Sequence, residues 1–236
     1  MVLFLHGVGL RAEAWAEQLD HFAQTCRVIA PDMPGHGASV PLGHSANLED
    51  YVDLIARAFN EPAVVVGHSM GAMIAVNLAV RYPEKVAGIG ALNAIFKRSE
   101  VAKAAVQARA AALDGEQIVD PTATLKRWFD DLESAPALAC RDWLTAVSPA
   151  GYKAAYTVFA NEDGPSNAGL GGLKMPSLFM TGALEPNSTP AMSEAMAKLA
   201  PRGRAVVLPG AAHMMPMTHP RSVNSELARL MEECSP

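Results

Sequence analysis

The sequence predicts an α/β protein with a mainly parallel sheet wrapped by helices, and three observations carry that expectation. Short apolar runs alternate with longer stretches of helical periodicity along most of the 236 residues, the pattern of strands joined by crossover helices. The runs lack apolar–polar alternation, as strands covered on both faces do. One run ends in G-H-S-M-G at 67–71, directly before a helix-like stretch. That is the signature of a sharp strand-to-helix turn, tight enough to require small flanking residues.

In chain order, strands are expected at 2–5, 27–30, 63–66, 86–92, 177–180 and 205–208, with helices near 12–23, 48–59, 70–81, 190–199 and 220–233. The block 95–175 breaks the alternation and reads as helical throughout. Within it Leu125, Trp128, Phe129 and Leu132 fall at i, i+3, i+4 and i+7, one face of a helix. Asp120-Pro121-Thr122 supplies a helix start, and 161–172 a loop-rich exit in which 169–172 forms a flexible hinge. Such a block between two strands is expected to cover the carboxyl ends of the sheet, where ligands bind. The expected division is a core of 1–94 and 176–236 and a helical cap of 95–175.

Composition narrows the function. Half the residues are apolar and 18% are charged, ordinary for a globular domain. A net charge of −5 with scattered Lys and Arg argues against nucleic acid as a partner. No apolar stretch reaches the roughly 20 residues that span a bilayer. The opening M-V-L-F-L-H-G has neither a basic segment nor a small-residue cleavage site and reads as a strand rather than a signal peptide. Cys26, Cys140 and Cys234 are widely spaced and form no C-x-x-C. They read as small buried side chains in a reducing cytoplasm, not as disulfides or zinc ligands. No metal-ligand spacing such as H-E-x-x-H occurs.

The turn at 67–71 lifts the Ser69 hydroxyl out of the sheet and aims the Met70 amide at the same space. A serine is a weak nucleophile until a base takes its proton, so Ser69 needs a histidine and an orienting acid. Where this turn is used, the chain order is Ser, acid, His. Only His213 and His219 follow the last acid-bearing loop. His213 leaves the strand at 205–208 through P-G-A-A and can curl over the sheet edge toward Ser69, whereas His219 precedes Pro220 and reads as a local cap or surface residue. The loop after 177–180 reads T-G-A-L-E-P-N-S-T-P, in which Glu185 is the sole carboxylate. Its bland alternative is a surface glutamate. A second acid position, after 86–92, holds the uncharged Asn93, which favours Glu185. An oxyanion hole needs two amides aimed where charge develops. Met70 offers one, and H-G-V-G at 6–9 brings that of Val8 to the other side.

The remaining polar residues draw structural readings. His68 packs beneath the turn, His6 and His36 hold loops near the pocket mouth, and His21 and His44 lie on the surface. Asp32 ties down the turn at 31–37. Trp128 and Phe129 read as cap core, with Trp128 also a candidate substrate contact. The methionine-rich run at 214–217 offers an adaptable apolar wall. A rival from another class comes from G-V-G-L-R-A at 7–12, which fits a dinucleotide fingerprint with Asp32 ending the next strand. That reading leaves G-H-S-M-G and the His213 loop without a role.

Taken together, H-G-x-G at 6–9, P-D-M-P-G-H-G-A-S at 31–39, G-H-S-M-G at 67–71 and the closing G-A-A-H at 210–213 resemble the α/β-hydrolase fold family over nearly the whole chain. The cap stretches T-L-K-R-W-F and G-Y-K-A-A-Y resemble the group of 3-oxoadipate enol-lactonases and related small esterases. The resemblance implies an α/β-hydrolase fold with Ser69, Glu185 and His213 as nucleophile, acid and base and with Val8 and Met70 donating to the oxyanion. It also implies hydrolysis of a small-molecule ester or lactone without a cofactor. Cleavage of a carbon–carbon bond on the same triad, or a catalytically silent small-molecule receptor, are the alternatives. Two departures stand out. The family usually has Asp where this chain has Glu185. It also usually opens with an antiparallel hairpin before the H-G-x-G strand, where this chain begins. All six strands should then run parallel, leaving 27–30 as an exposed edge, which keeps homo-oligomer formation open as one way to cover it.

Overall fold

The computed structural model describes residues 1–43 and 46–235; the expected surface residue His44 lies outside them. Six strands form one sheet: β1 Val2–Leu5, β2 Val28–Ile29, β3 Ala63–His68, β4 Val86–Leu92, β5 Ser177–Gly182 and β6 Gly203–Leu208. Their order across the sheet is β2-β1-β3-β4-β5-β6, and every pair is parallel. All residues of β1, β3 and β5 are buried, which explains why their sequences are apolar without alternation.

Alternate side chains still go to opposite faces. Leu3, Leu5 and Val65 face α2 (Leu48–Arg57) and α3 (Met70–Arg81), meeting Tyr51, Val52, Ile55 and Met73. Val2, Phe4, Val64 and Val66 face the other way. There they meet Trp15, Phe22 of α1 (Ala16–Phe22), and Leu227 and Leu230 of α11 (Pro220–Glu233). The α2 helix starts on a full capping box, with the Asn47 side chain accepting from the Asp50 amide and the Asp50 side chain accepting from the Asn47 amide. Helix α9 (Pro190–Leu199) links β5 to β6, and the short α10 (Met215–Thr218) precedes α11.

Between β4 and β5 lie α4 (Glu100–Ala111), α5 (Thr122–Trp128), α6 (Ala135–Ala146), α7 (Pro149–Asn161) and α8 (Asn167–Gly171). Leu125 and Phe129 pack with Cys140 and Leu144 of α6 against Leu10, Ala14 and Met214 from the sheet side. Val106 and Ala110 of α4 pack on Ala160 of α7. The start of α7 rests on the 31–39 loop so closely that a Cβ on Gly151 would stand 2.3 Å from the Gly35 carbonyl oxygen.

Several expected boundaries shift. The strand at 27–30 keeps only Val28 and Ile29, because Arg27 is exposed and Pro31 has no amide to offer. The helix at 12–23 divides into a 3₁₀ turn, Ala12–Trp15, and α1. The cap periodicity reaches Phe129, but α5 stops at Trp128, so Leu132 packs from a turn. The hinge expected at 169–172 is largely α8. The Ser166 hydroxyl caps it by accepting from the Gly169 amide at 3.0 Å, and Leu170 is fully buried in the main core. A cap and one buried leucine outweigh the poor helix propensity of its glycines.

Candidate active site

Ser69 sits between β3 and α3 at φ 57°, ψ −119°, a left-handed conformation that costs a non-glycine residue on the order of 1–3 kcal/mol. Close packing on both sides enforces it. A Cβ on Gly67 would lie 2.0 Å from the Gly71 carbonyl oxygen, and one on Gly71 would lie 2.1 Å from that of Leu5. The Ser69 amide donates to Leu92 O at 2.9 Å, and its carbonyl accepts from Ala72 and Met73 in the first turn of α3. Gly7 passes directly beside it, where a side chain would begin 3.0 Å from Ser69 Cβ. Among the described residues neither the Val8 nor the Met70 amide donates to a protein acceptor. For Met70 that follows from its place at a helix start.

His213 arrives from the loop after β6. Its Nδ1–H donates to Glu185 Oε2 at 2.6 Å, which leaves Nε2 as the free nitrogen. Glu185 Oε1 accepts the amides of Asn187 at 2.8 Å and Ser188 at 3.3 Å. Burial alone would push this carboxyl up. The facing His213 and these two amides outweigh it and hold the group down at about 2, so the pair keeps a carboxylate beneath the ring. The His213 carbonyl is also tied, accepting His68 Nε2–H at 2.8 Å and Asn93 Nδ2–H at 2.6 Å.

Ser69 and His213 line the same cavity, of about 340 Å³, together with Val8, Asn93 and Trp128. The Trp128 ring stacks on the His213 ring, with centroids 5.2 Å apart and planes at 23°. No hydrogen bond joins the Ser69 hydroxyl to His213 among the described residues. The apolar wall comes from Ile95, Val106, Leu113, Val119 and Phe159, not from the run at 214–217. Met214 and Met215 instead turn into the core, where 1% and 0% of their surfaces are exposed.

The other histidines brace loops. His6 Nδ1–H donates to Gly7 O and its Nε2 accepts the Met33 amide. His36 accepts the Gly9 amide on Nε2 and donates from Nδ1 to Pro34 O. The two rings thus lace the 6–9 loop to the 31–39 loop, edge to face at 5.3 Å. Burial lowers both, His6 to about 3 with His36 contributing, and burial with the neighbouring His213 lowers His68 to about 3. His219 sits at the start of α11, where its carbonyl accepts the Val223 amide at 3.1 Å and its ring meets the Thr218 hydroxyl, and His21 is exposed.

Asp32 accepts the amides of Ala12 at 2.9 Å and Ala38 at 3.3 Å, the turn-holding role expected of it. Space above Gly9 is filled, since a Cβ there would stand 2.5 Å from Leu144 Cδ2. Asp32 and the 7–12 loop therefore have structural employment, and the dinucleotide reading loses its phosphate approach. Sequence reading missed one residue. Asn93, weighed only as an uncharged acid position, stands at φ 51° and accepts from Thr181 Oγ1 and Gly182 N while holding His213. The available signal was its type: asparagine tolerates the left-handed region at a strand end.

The sequence matches the Alpha/beta hydrolase family over residues 2–226. This chain belongs to the alpha/beta hydrolase family. It is 36% identical over 98% of its length, and 90% of the relative's, to an (E)-2-((N-methylformamido)methylene)succinate hydrolase of Acinetobacter baylyi. Among solved structures it is similar to a malate-bound thermophilic esterase from Thermogutta terrifontis. That match has a TM-score of 0.86 and 26% identity, covering 99% of this chain and 89% of the esterase. The enol-lactonase of Burkholderia xenovorans LB400 shares the fold, with TM-score 0.84 and 22% identity, covering 98% and 90% of the two chains. No helix among the described residues of this alpha/beta hydrolase is long and apolar enough to cross a membrane.

Proposed function

We propose that the protein hydrolyses a carboxylic ester or lactone through an acyl-enzyme on Ser69. The observation carrying this reading is the His213–Glu185 pair at 2.6 Å, placed in the cavity that also holds Ser69 on its strained turn. Ser69 Oγ attacks the carbonyl carbon while His213 Nε2 takes its proton. Glu185, already ionised, stabilises the imidazolium that results. The tetrahedral oxyanion is received by the amides of Val8 and Met70, which have no acceptor among the described residues. Collapse expels the alcohol with the proton from Nε2, and water repeats the sequence in reverse roles to release the acid. No step needs a cofactor.

Glu185 reaches one methylene further than an aspartate. The amides of Asn187 and Ser188 on Oε1 fix the carboxylate within its own loop, which leaves Oε2 for the imidazole. Residues 95–175 act as the cap that shapes the substrate site, over a core of 1–94 and 176–236, and Trp128 contacts substrate from it. A reducing cytoplasm suits the free thiols of Cys26, Cys140 and Cys234. The Acinetobacter relative is named for a succinate derivative, which supports a small, polar substrate.

An ester and lactone panel of varied acyl size, run beside Ser69→Ala, tests the proposal. Turnover of aryl esters or lactones that disappears in Ser69→Ala is the expected result. Turnover of a vinylogous diketone alone would transfer the site to carbon–carbon hydrolysis. No turnover of any substrate would leave a small-molecule receptor.

A further inference from the structure

Behind the site, a buried pair of amide side chains ties the element that follows the 6–9 loop to the element that follows His213. Gln18 lies in α1, just after the 3₁₀ turn Ala12–Trp15, and none of its surface is exposed. Its Nε2 donates to Pro216 O at 3.1 Å and to Asn224 Oδ1 at 2.9 Å. Pro216 belongs to α10, directly downstream of His213, and Asn224 to α11. Within a helix the Pro216 carbonyl would accept the amide at position 220, but that residue is proline and has none. The Gln18 side chain supplies the missing donor.

The partners fix how the Gln18 amide is turned. Asn224 Nδ2 donates to Glu17 O at 3.2 Å, which presents Asn224 Oδ1 to Gln18. Pro216 O and Asn224 Oδ1 are both acceptors, so only the NH2 side of Gln18 can face them. Gln18 Oε1 accordingly has no partner among the described residues. Around this clasp the packing is apolar, from Trp15, Phe22, Met215, Val223 and Leu227. Apolar contact is non-directional and lets a short helix such as α10 slide, whereas a hydrogen bond in a low-dielectric core holds one register. Trp15 meets His68 edge to face at 6.4 Å, and His68 holds the His213 carbonyl. The stretch from Trp15 to Gln18 thus supports the His213 loop twice, through His68 and at Pro216.

Resting on the hydrolase reading of Ser69 and His213, we infer that Gln18 is a positioning residue. By binding Pro216 O it fixes His213 relative to the 6–9 loop, and so holds the base and the Val8 amide at one spacing. Gln18 does not line the cavity. Loss of its donor therefore slows proton transfer from Ser69 without weakening substrate binding.

Two variants and a control test this. Gln18→Met keeps the side-chain length and removes the donor; Gln18→Met/Asn224→Leu also removes the acceptor left unpaired. Removing both partners of a buried bond is less destabilising than removing one, so Tm should fall in the single variant and recover in the double. Neither variant restores a donor to Pro216 O, so kcat should fall about tenfold in both, with KM within about twofold of wild type. Leu230→Ala, a cavity elsewhere in the same core, should lower Tm and leave kcat within about twofold. A kcat that returns with Tm in the double variant, or that falls equally in Leu230→Ala, makes the clasp a stability element and overturns the positioning role. Failure of both Gln18 variants to fold does the same.

The low-field proton signal of His213 Nδ1–H reports the geometry by NMR without turnover. It should be displaced in both Gln18 variants and unmoved in Leu230→Ala. That result supports the positioning role even if no ester is hydrolysed by any of the proteins, an outcome that would defeat only the hydrolase reading. A signal at its wild-type position in the Gln18 variants overturns the role even if esters are hydrolysed.

Discussion

The floor of the cavity and its roof hold their residues by different forces. At the floor, strand ends and their loops fix polar side chains with paired hydrogen bonds: His213 through Glu185, His68 and Asn93, and the 6–9 loop through His6 and His36. At the roof, α4 to α7 are held mainly by apolar contacts, and the exposed Arg109 and Arg127 form no ion pair among the described residues. A reacting group tolerates little displacement, whereas a substrate-shaping wall can vary as long as its volume is filled. Under the proposed function, the floor sets the rate and the roof selects which molecule is turned over.

The sharpest way to break this comparison is to remove the reacting groups. Ser69→Ala and His213→Ala should each lower kcat on the order of 10⁶-fold, because such residues act as a unit; a loss under tenfold in either would refute the assignment. Glu185→Gln should cost about 10⁴-fold in kcat, and unchanged turnover would remove Glu185 from its role. Asn93→Ala takes away one of two donors on the His213 carbonyl and should lower kcat roughly tenfold with KM little changed. A change confined to KM would make Asn93 a substrate contact instead of a positioning residue. At the roof, Trp128→Ala should alter KM and acyl preference by about tenfold, with Trp128→Phe recovering most of it through its retained ring. Equal effects on every ester would place Trp128 with the floor.

Acid stability sharpens the contrast without touching turnover. His6 and His68 titrate near 3 when folded and near 6.5 when unfolded, so the folded state binds fewer protons between those limits. Stability is complete above pH 6.5 and lost as pH falls toward 3, on the order of 2 kcal/mol per ring at pH 5. Glu185, held at about 2 against 4.5, adds a loss in the same direction between pH 4.5 and 2. The melting temperature should therefore begin to fall near pH 6.5. His68→Gln, which keeps an N–H for the His213 carbonyl, should flatten the fall between pH 6.5 and 4.5. A profile flat down to pH 4.5 in the wild-type protein would mean that the floor histidines are not held neutral.

Much of the floor was legible because its chemistry is local. A glycine-flanked serine between a strand and a helix, a lone carboxylate after one strand and a histidine after the next fixed Ser69, Glu185 and His213 as candidates. Gly67 and Gly71 show why glycine recurs at 67–71, since backbone meets backbone there, while Gly7 and Gly9 leave room for the side chains of Ser69 and Leu144. Asn93 was harder, since its role depends on three partners from β5 and the His213 loop that no spacing brings together. The roof was least legible. The i, i+3, i+4 pattern at Leu125 to Leu132 located a packing face but not the end of α5. The glycines at 169–172 concealed a helix that Ser166 caps and Leu170 anchors. Met214 and Met215 turn inward because burial is settled by tertiary packing and not by composition. The arginines of the roof lie far apart in sequence, and only folding makes them neighbours of one cavity.

Mass-spectrometric mapping of a fluorophosphonate adduct tests the central claim most directly, since it reports whether Ser69 is an activated nucleophile and whether His213 activates it. A single adduct on Ser69 in the wild-type protein, forming far more slowly in His213→Ala, is the predicted result. An unmodified Ser69, or labelling equally fast without His213, would contradict the account.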